Sequence, residues 1–442
     1  MLNTLGWKTL YNKRLTSAHD AVDRIKSGNR VATSNAAGEA KHIIRALVEN
    51  KDAYRDVEIC QMLSMDGAIY AKPGLEKHFR HISQFVGGMT RETIKAGHGD
   101  YTPCYFSQIP NLWSRTLPLD VAIIHVSSPD EHGYCSYGVS VDYSLHAAKN
   151  ARENGGIVIA QINKYMPRTL GDSFVHISQM DCIVEYDEPI TELQPPVITD
   201  VEREIGKNCA SLINDGDCLQ LGIGSIPDAV LLSLKDKKRL GIHSEMFSDG
   251  AVELVEAGVI DNSAKNFHNG KMLSTFLMGT RRLYDFVHNN PTVYMAPATY
   301  TNDPYIAGKN DNLVSINSAI QIDLLGQVCA DTIGTVQYSA VGGQVDFVRA
   351  AAISKGGRSI IAMPSTASGG KISRILPYLD HGAAVTTSRN DVQYVITEYG
   401  IANLRYFPVR ERARALIKIA HPDFTDELWD AYERRFNAKP QR

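Results

Sequence analysis

Gly216-Asp-Cys-Leu-Gln-Leu-Gly-Ile-Gly-Ser-Ile-Pro-Asp-Ala-Val230 and, shortly after it, Gly241-Ile-His-Ser-Glu-Met-Phe-Ser-Asp-Gly250 decide how this 442-residue chain is read. Each opens on a short apolar run and passes into small, turn-prone residues, as a buried strand does where it leaves the carboxyl edge of an open α/β sheet. In the first segment Gly222 and Gly224 let the backbone approach a ligand, and Pro227 suits the first turn of the helix that follows. Free N–H groups at such a helix start favour a phosphate or a developing oxyanion. The second segment puts a single carboxylate, Glu245, at the edge of what reads as the neighbouring strand.

Both segments have counterparts in the first half. Gly28-Asn-Arg-Val-Ala-Thr-Ser-Asn-Ala36 lines up with Gly216–Gly224, and Ile59-Cys-Gln-Met-Leu-Ser-Met-Asp-Gly67 with Ile242–Gly250. Further on, Gly138–Tyr143 matches Gly342–Phe347, and Asp181–Tyr186 matches Tyr394–Tyr399. Four matches in one order indicate an internal duplication. Features held in common then belong to the scaffold, and features confined to one half are candidates for chemistry. Gly222 and Gly224 face Ser34 and Ala36, Glu245 faces Met62, and the pair Gly342-Gly343 has no counterpart at Gly138-Val139. The reaction centre is therefore expected in the second half.

Apolar runs at Val121–Val126, Gly156–Ala160, Ser359–Met363 and Tyr394–Thr397 read as buried strands. They alternate with helical patterns such as Ala40–Val48 and Val201–Leu212, which predicts open α/β domains with mainly parallel sheets. Pro189-Ile-Thr-Glu-Leu-Gln-Pro-Pro196 reads as an extended linker, dividing the chain into domains 1–192 and 193–442. The charged, amphipathic tail from Arg410 to Phe436 predicts a helical cap.

With 46 basic against 49 acidic residues, the formal charge is −3. That gives no global attraction to nucleic acid or an acidic membrane, and a small molecule is the expected partner. The start of the chain lacks the apolar core of a secretion signal and no later run is long enough for a membrane span, so a soluble cytoplasmic protein is expected. Seven scattered cysteines fit neither a disulfide framework nor a Cys-x-x-Cys metal site. Asp130-Glu131-His132, between Ser-Ser-Pro and Gly133, reads as a polar turn, and no metal is expected.

Two chemistries fit Gly-x-Gly followed about twenty residues later by an acid at a strand end. One is dinucleotide binding, with Glu245 on a ribose, although Pro227 stands where close helix packing asks for a small residue. The other uses Glu245 as a reacting carboxylate. Gly342-Gly343 would then offer backbone N–H groups to a tetrahedral intermediate.

In combination and order, Gly222–Val230, Gly241–Gly250 and Gly342–Phe347 resemble the class I CoA-transferases, most closely the 4-hydroxybutyrate and butyryl-CoA:acetate branch. The likeness runs through nearly the whole chain, including Ser128–Gly133, Thr386–Asp391 and Arg412–Ile417. It implies two duplicated CoA-transferase-like halves of the NagB/RpiA type. By resemblance Glu245 is the nucleophile, with the Gly343 N–H and the Asn302 side-chain amide as oxyanion donors. Gly222, Ile223, Gly224, Ser225 and Ile226 would line the CoA passage with Gly342. Ile320 would contact CoA, and Lys371 its phosphates or carbonyls. Gln220 could orient Glu245 or the incoming carboxylate, while His243 is expected to be packed strand structure. The first half is expected to take the acyl group, with Ser34, Asn35, Gln61, Met62 and His98 at equivalent strand ends. The implied substrates are acyl-CoA and short-chain carboxylates, with no tightly bound cofactor, in a homo-oligomer (dimer or tetramer). An acyl-CoA hydrolase sharing the intermediate, and a non-catalytic CoA or nucleotide sensor, remain as alternatives.

Overall fold

The computed structural model describes residues 6–438; residues 1–5 and 439–442, and with them part of the chain start read for a secretion signal, lie outside it. The chain divides into two compact units, Met1–Gln194 with Leu273–Thr301, and Pro195–Met272 with Asn302–Arg442.

The first unit is built on seven parallel strands: β1 (Arg30–Thr33), β2 (Val57–Gln61), β3 (Phe79–Ser83), β4 (Gly99–Tyr101), β5 (Val121–Val126), β6 (Ile157–Ile162) and β7 (Cys182–Glu185), in the order β4-β3-β2-β1-β5-β6-β7. Parallel strands are covered on both faces, so they read as continuous apolar runs rather than alternating ones. All six residues of β5 are buried accordingly. Helix α1 (Lys41–Glu49) turns Ile43, Ile44, Ala46 and Leu47 into the core, where Val31, Ile59, Ile123 and Ile159 meet them.

In the second unit β8 (Cys218–Leu221), β9 (Gly241–Ile242), β10 (Leu313–Asn317), β11 (Arg358–Ala362), β12 (Tyr394–Thr397) and β13 (Gly400–Asn403) form a sheet ordered β9-β8-β10-β11-β12-β13. All neighbours are parallel except the last pair. The first five strands repeat the order β2-β1-β5-β6-β7, and the antiparallel β13 is an addition without a counterpart in the first sheet. Helix α2 (Ser225–Leu232) follows β8, and α3 (Gln344–Ile353) precedes β11. The tail forms α4 (Val409–Lys418) and α5 (Thr425–Phe436), whose Leu416, Ile417, Leu428 and Tyr432 join a core with Ile361 and Val395.

One part of the expected domain division does not hold. Residues 273–301, placed by sequence in the domain 193–442, belong to the first unit, and the break after the linker falls at 194/195. Backbone pairing is the reason. The N–H groups of Val141 and Asp142 donate to the Thr275 carbonyl, that of Ala298 donates to the Asp142 carbonyl, and Gly171 pairs with Met295.

Among the described residues no helix is long and apolar enough to cross a membrane, and no group of three or more His, Cys, Asp or Glu could hold a metal ion. Asp130 lies in a turn, where its Oδ1 accepts from the N–H groups of His132 and Tyr134.

Glu39 is buried just before α1, and its carboxylate accepts from the Ser64 hydroxyl at 2.8 Å. Burial pushes this carboxyl from an ordinary 4.5 up to about 7, and the Ser64 hydrogen bond opposes the rise only in part. A carboxyl raised on folding favours the folded state while protonated, and that stability is lost as pH climbs from the unfolded value through the folded one. At about 1.4 kcal/mol per unit the loss comes to roughly 3 kcal/mol. The urea unfolding midpoint of Glu39→Gln should therefore fall less than that of wild type between about pH 5 and about pH 8. Equal falls in the two proteins would refute this account of Glu39.

Candidate functional site

Glu245 lies three residues beyond β9, in a segment clamped on both sides. Immediately before it, the Ser244 hydroxyl donates to the Leu221 carbonyl at 2.9 Å and accepts from the Leu221 N–H at 3.1 Å. Immediately after it, Met246 forms an antiparallel bridge with Leu221. The glutamate thus hangs from the carboxyl end of β8. Deeper down, the buried Lys265 ammonium donates to the carbonyls of Ile242 (2.8 Å) and Lys271 (2.7 Å). Its stem crosses the face of Gly241, where a Cβ would collide with it. Burial lowers the pKa of Lys265 below the ordinary lysine value.

Against this carboxylate stands Asn302, fully buried beside the short helical turn Pro304–Ala307. Its Nδ2 donates to Glu245 Oε2 at 2.8 Å. An ionised carboxylate can only accept, so the amide must present nitrogen to it. The third member is Gly343, the cap of α3, reached through a left-handed Gly342. A Cβ on Gly343 would collide with both Glu245 Oε2 and Asn302 Nδ2. Only a residue without a side chain lets the backbone come this close. Residues 245, 302 and 343, far apart in sequence, therefore meet at one point.

The loop Gly222–Ile226 joins β8 to α2. Gly224, at φ +114°, caps the helix, and neither Gly222 nor Gly224 has anything within reach of an added Cβ. Ile223 is exposed, Ile226 is buried, and the Ser225 hydroxyl donates to Glu202. Gln220 is wired to β10: its Oε1 accepts from the Ser315 hydroxyl (2.6 Å) and from Asn317 Nδ2 (3.2 Å). His243 is fully buried, at 2.9 Å from the Asn310 amide and packed by Phe267 and Phe347. Ile320 is half-buried, with its N–H on the Cys329 carbonyl. Lys371 is exposed at the tip of the pair Thr366–Ala367 and Ile372–Ser373, after Ser368, Gly369 and Gly370 in left-handed conformation.

In the first unit Ser34-Asn35 and Gln61-Met62 occupy the carboxyl edge of β1 and β2, and all four are buried. Two of them are framework. Asn35 donates to Asp142 Oδ2 and accepts from the Leu63 N–H, while Gln61 donates to the Ser34 carbonyl and accepts from the Tyr70 hydroxyl. His98 is a correction. It precedes β4, which runs parallel to β3, so it sits at the amino edge of the sheet, exposed, with its ring 3.9 Å from Glu76. Gly97 and Gly99 mark the start of a strand there. The position expected of His98 falls instead to Gln84, just past β3.

The model of the acetyl-CoA hydrolase/transferase N-terminal domain matches residues 2–195, and that of the C-terminal domain matches residues 279–432. The chain is 57% identical, over 98% of its length and 100% of the relative's, to the 4-hydroxybutyrate coenzyme A transferase of Clostridium kluyveri. It is 38% identical, over 96% of its length and 97% of the relative's, to the butyryl-CoA:acetate CoA-transferase of Anaerostipes caccae. Its fold superposes on the crystal structure of a 4-hydroxybutyrate CoA-transferase from Porphyromonas gingivalis with a TM-score of 0.85, at 42% identity over 97% of this chain and 100% of that one. With both domain models matched in order and relatives alike from end to end, the chain belongs to the acetyl-CoA hydrolase/transferase family, as a CoA-transferase that moves coenzyme A between an acyl-CoA and a carboxylate.

Proposed function

We propose that this enzyme exchanges CoA between 4-hydroxybutyryl-CoA or butyryl-CoA and acetate, through a thioester on Glu245. The observation that carries the reading is the Glu245 carboxylate held against the Asn302 amide and the Gly343 backbone, in a chain that is 57% identical to a 4-hydroxybutyrate coenzyme A transferase over that relative's full length.

Glu245 attacks the acyl carbonyl and expels CoA thiolate, leaving an acyl-glutamyl anhydride. The thiolate then attacks the glutamyl carbonyl, which forms the glutamyl-CoA thioester and releases the first acid. An acceptor carboxylate attacks that thioester, freeing thiolate and making a new anhydride, and thiolate attack on its acyl carbonyl yields the new acyl-CoA and restores Glu245. A serine in this place would form an ester, too stable to return the thioester readily. An anhydride conserves the acyl energy, so neither ATP nor metal is called for.

Every step passes through an oxyanion, and the Asn302 Nδ2 and Gly343 N–H are the donors in this scheme. Gly222–Ile226 and Gly342 line the CoA passage, with Ile320 and Lys371 as further contacts, and Gln220 keeps the end of β8 in register. Ser34 and Met62 take part in acyl recognition. All seven cysteines are free thiols, which supports a reducing, cytoplasmic setting, and we take the enzyme as a homo-oligomer by family resemblance. A hydrolase would share the intermediate but release CoA without an acceptor carboxylate. A sensor would have no use for a carboxylate fixed between an amide and a glycine.

Brief incubation with butyryl-CoA or acetyl-CoA and no acceptor should add the mass of one CoA less water to the wild-type chain, and acetate should discharge it. Glu245→Ala should gain nothing. Absence of the adduct in wild type with both acyl-CoAs would overturn the mechanism.

In Gly343→Ala the new methyl meets the nucleophile and its amide partner, so kcat should fall by about 10²-fold or more, measured by CoA exchange with acetate. Asn302→Ala should fall by about 10²-fold without a comparable rise in KM, as for a donor used in the transition state. A loss confined to KM in Asn302→Ala would remove it from the oxyanion role.

A further inference from the structure

Gly342 and Gly343 bring the backbone up to Glu245, and neither has a side chain to fix it there. Glycine adopts many backbone conformations at little cost, so a pair of them does not specify the direction of its own N–H groups. Gly342 lies at φ +52° and Gly343 at φ −95°, ψ 7°. The first side chain past the pair is Gln344, which opens α3.

Gln344 is buried and uses both ends of its amide. Its Nε2 donates to the Ser318 carbonyl at 2.7 Å, and its Oε1 accepts from the Thr387 hydroxyl at 2.7 Å. Ser318 is the first residue beyond β10, and the fully buried Thr387 is held in turn by a backbone bridge to Val328. Three segments, around residues 318, 344 and 387, therefore meet at one side chain, next to the glycine packed against Glu245. Ser318 offers an acceptor and Thr387 a donor, and a planar amide answers both from one group.

The duplication singles this residue out. Gly342–Phe347 matches Gly138–Tyr143, and the turn itself is common to both units. Gly138 and Gly342 are left-handed, at φ +62° and +52°, and a buried aspartate, Asp142 or Asp346, stands four residues further on. Between glycine and aspartate the first unit has Ser140 where the second has Gln344. The Ser140 hydroxyl donates to Asp142 at 2.9 Å and accepts from the Asn35 N–H at 3.1 Å. In that unit Val139 takes the place of Gly343, and Met62 that of Glu245. The fold thus asks for the left-handed glycine and the aspartate in both halves, and for the long amide only where the turn meets a carboxylate.

We infer that Gln344 is a positioning residue, which ties Gly343 to Ser318 and Thr387 and so aims its N–H at the carbonyl under attack. The inference rests on the CoA-transferase reading, in which Gly343 is an oxyanion donor, and deepens it. The test measures kcat and KM for butyryl-CoA with acetate, well below the melting temperature of each variant. Gln344→Ser introduces the residue that the same turn carries in the first unit. It should lower kcat at least about tenfold while leaving both KM values within about threefold of wild type, since a displaced oxyanion donor is felt in the transition state. Thr387→Val should lower kcat about fivefold with the same KM pattern, and Thr387→Ser, which keeps the hydroxyl, should stay within about twofold of wild type. A wild-type kcat in Gln344→Ser overturns the inference whatever the melting temperature, because that is the behaviour of an amide that only stabilises the fold. A loss confined to KM overturns it too. If Gln344→Ser does not fold, the Thr387 variants decide, and equal kcat in Thr387→Val and Thr387→Ser overturns the inference. Wild type that turns over no acyl-CoA and forms no covalent adduct would defeat the transferase reading itself, whereas active wild type with undiminished kcat in the variants defeats this inference alone.

Discussion

The hydrogen bond between Asn302 and the Glu245 carboxylate joins segments of the second unit that are far apart in sequence, and the local fold is arranged around it. The Asn302 amide donates to Glu245 Oε2 at 2.8 Å, and the Gly343 backbone lies close against both side chains. Neither adds a formal charge, and an amide N–H and a backbone N–H are the kinds of donor that the proposed reaction asks for. Much of the local fold follows from this. β9 is only two residues long, so Glu245 cannot be held by strand pairing and hangs instead on the Leu221 bonds of Ser244 and Met246. The buried Lys265 secures the carbonyl of the last strand residue from behind, with its charge on main-chain oxygens.

The duplicated architecture gives the same strand ends two different uses. Where β8 opens into glycines, β1 carries Ser34 and Ala36; where Glu245 stands, the first unit has Met62. In the second unit the edge presents backbone and one reactive acid. In the first, the corresponding edge is closed by side chains, with the Asn35 and Gln61 amides tying β1 and β2 to their surroundings.

Much of this was legible in the sequence because its signals are local. Apolar runs ending in turn residues identify parallel strands, and three of the four matched segments fall on corresponding strands of the two sheets, while the fourth falls at helix starts. Glu245, Asn302 and Gly343 were each reachable from motif or resemblance. Elsewhere local pattern misleads. Gly97-His98-Gly99 could open a strand or close one, and glycine serves both purposes. Residues 273–301 carry no mark of the unit they join, because their place depends on backbone pairing with Val141, Asp142 and Gly171, more than a hundred residues away. A buried lysine looks like any solvated one until its surroundings are known, which concealed Lys265.

The excursion of residues 273–301 also bears on how the chain is made. The first unit is complete only when Leu273–Thr301 has been synthesised, and by then Pro195–Met272 has already left the ribosome. An N-terminal half that would otherwise fold as soon as it emerged must wait, its carbonyls and N–H groups at Val141, Asp142 and Gly171 unmatched, for a segment encoded well downstream. Cutting the gene at the proline-rich linker would therefore yield a first fragment that lacks part of its unit and a second that carries that part beside a whole unit of its own. The chain therefore does not come apart into its two units at the point where its sequence divides.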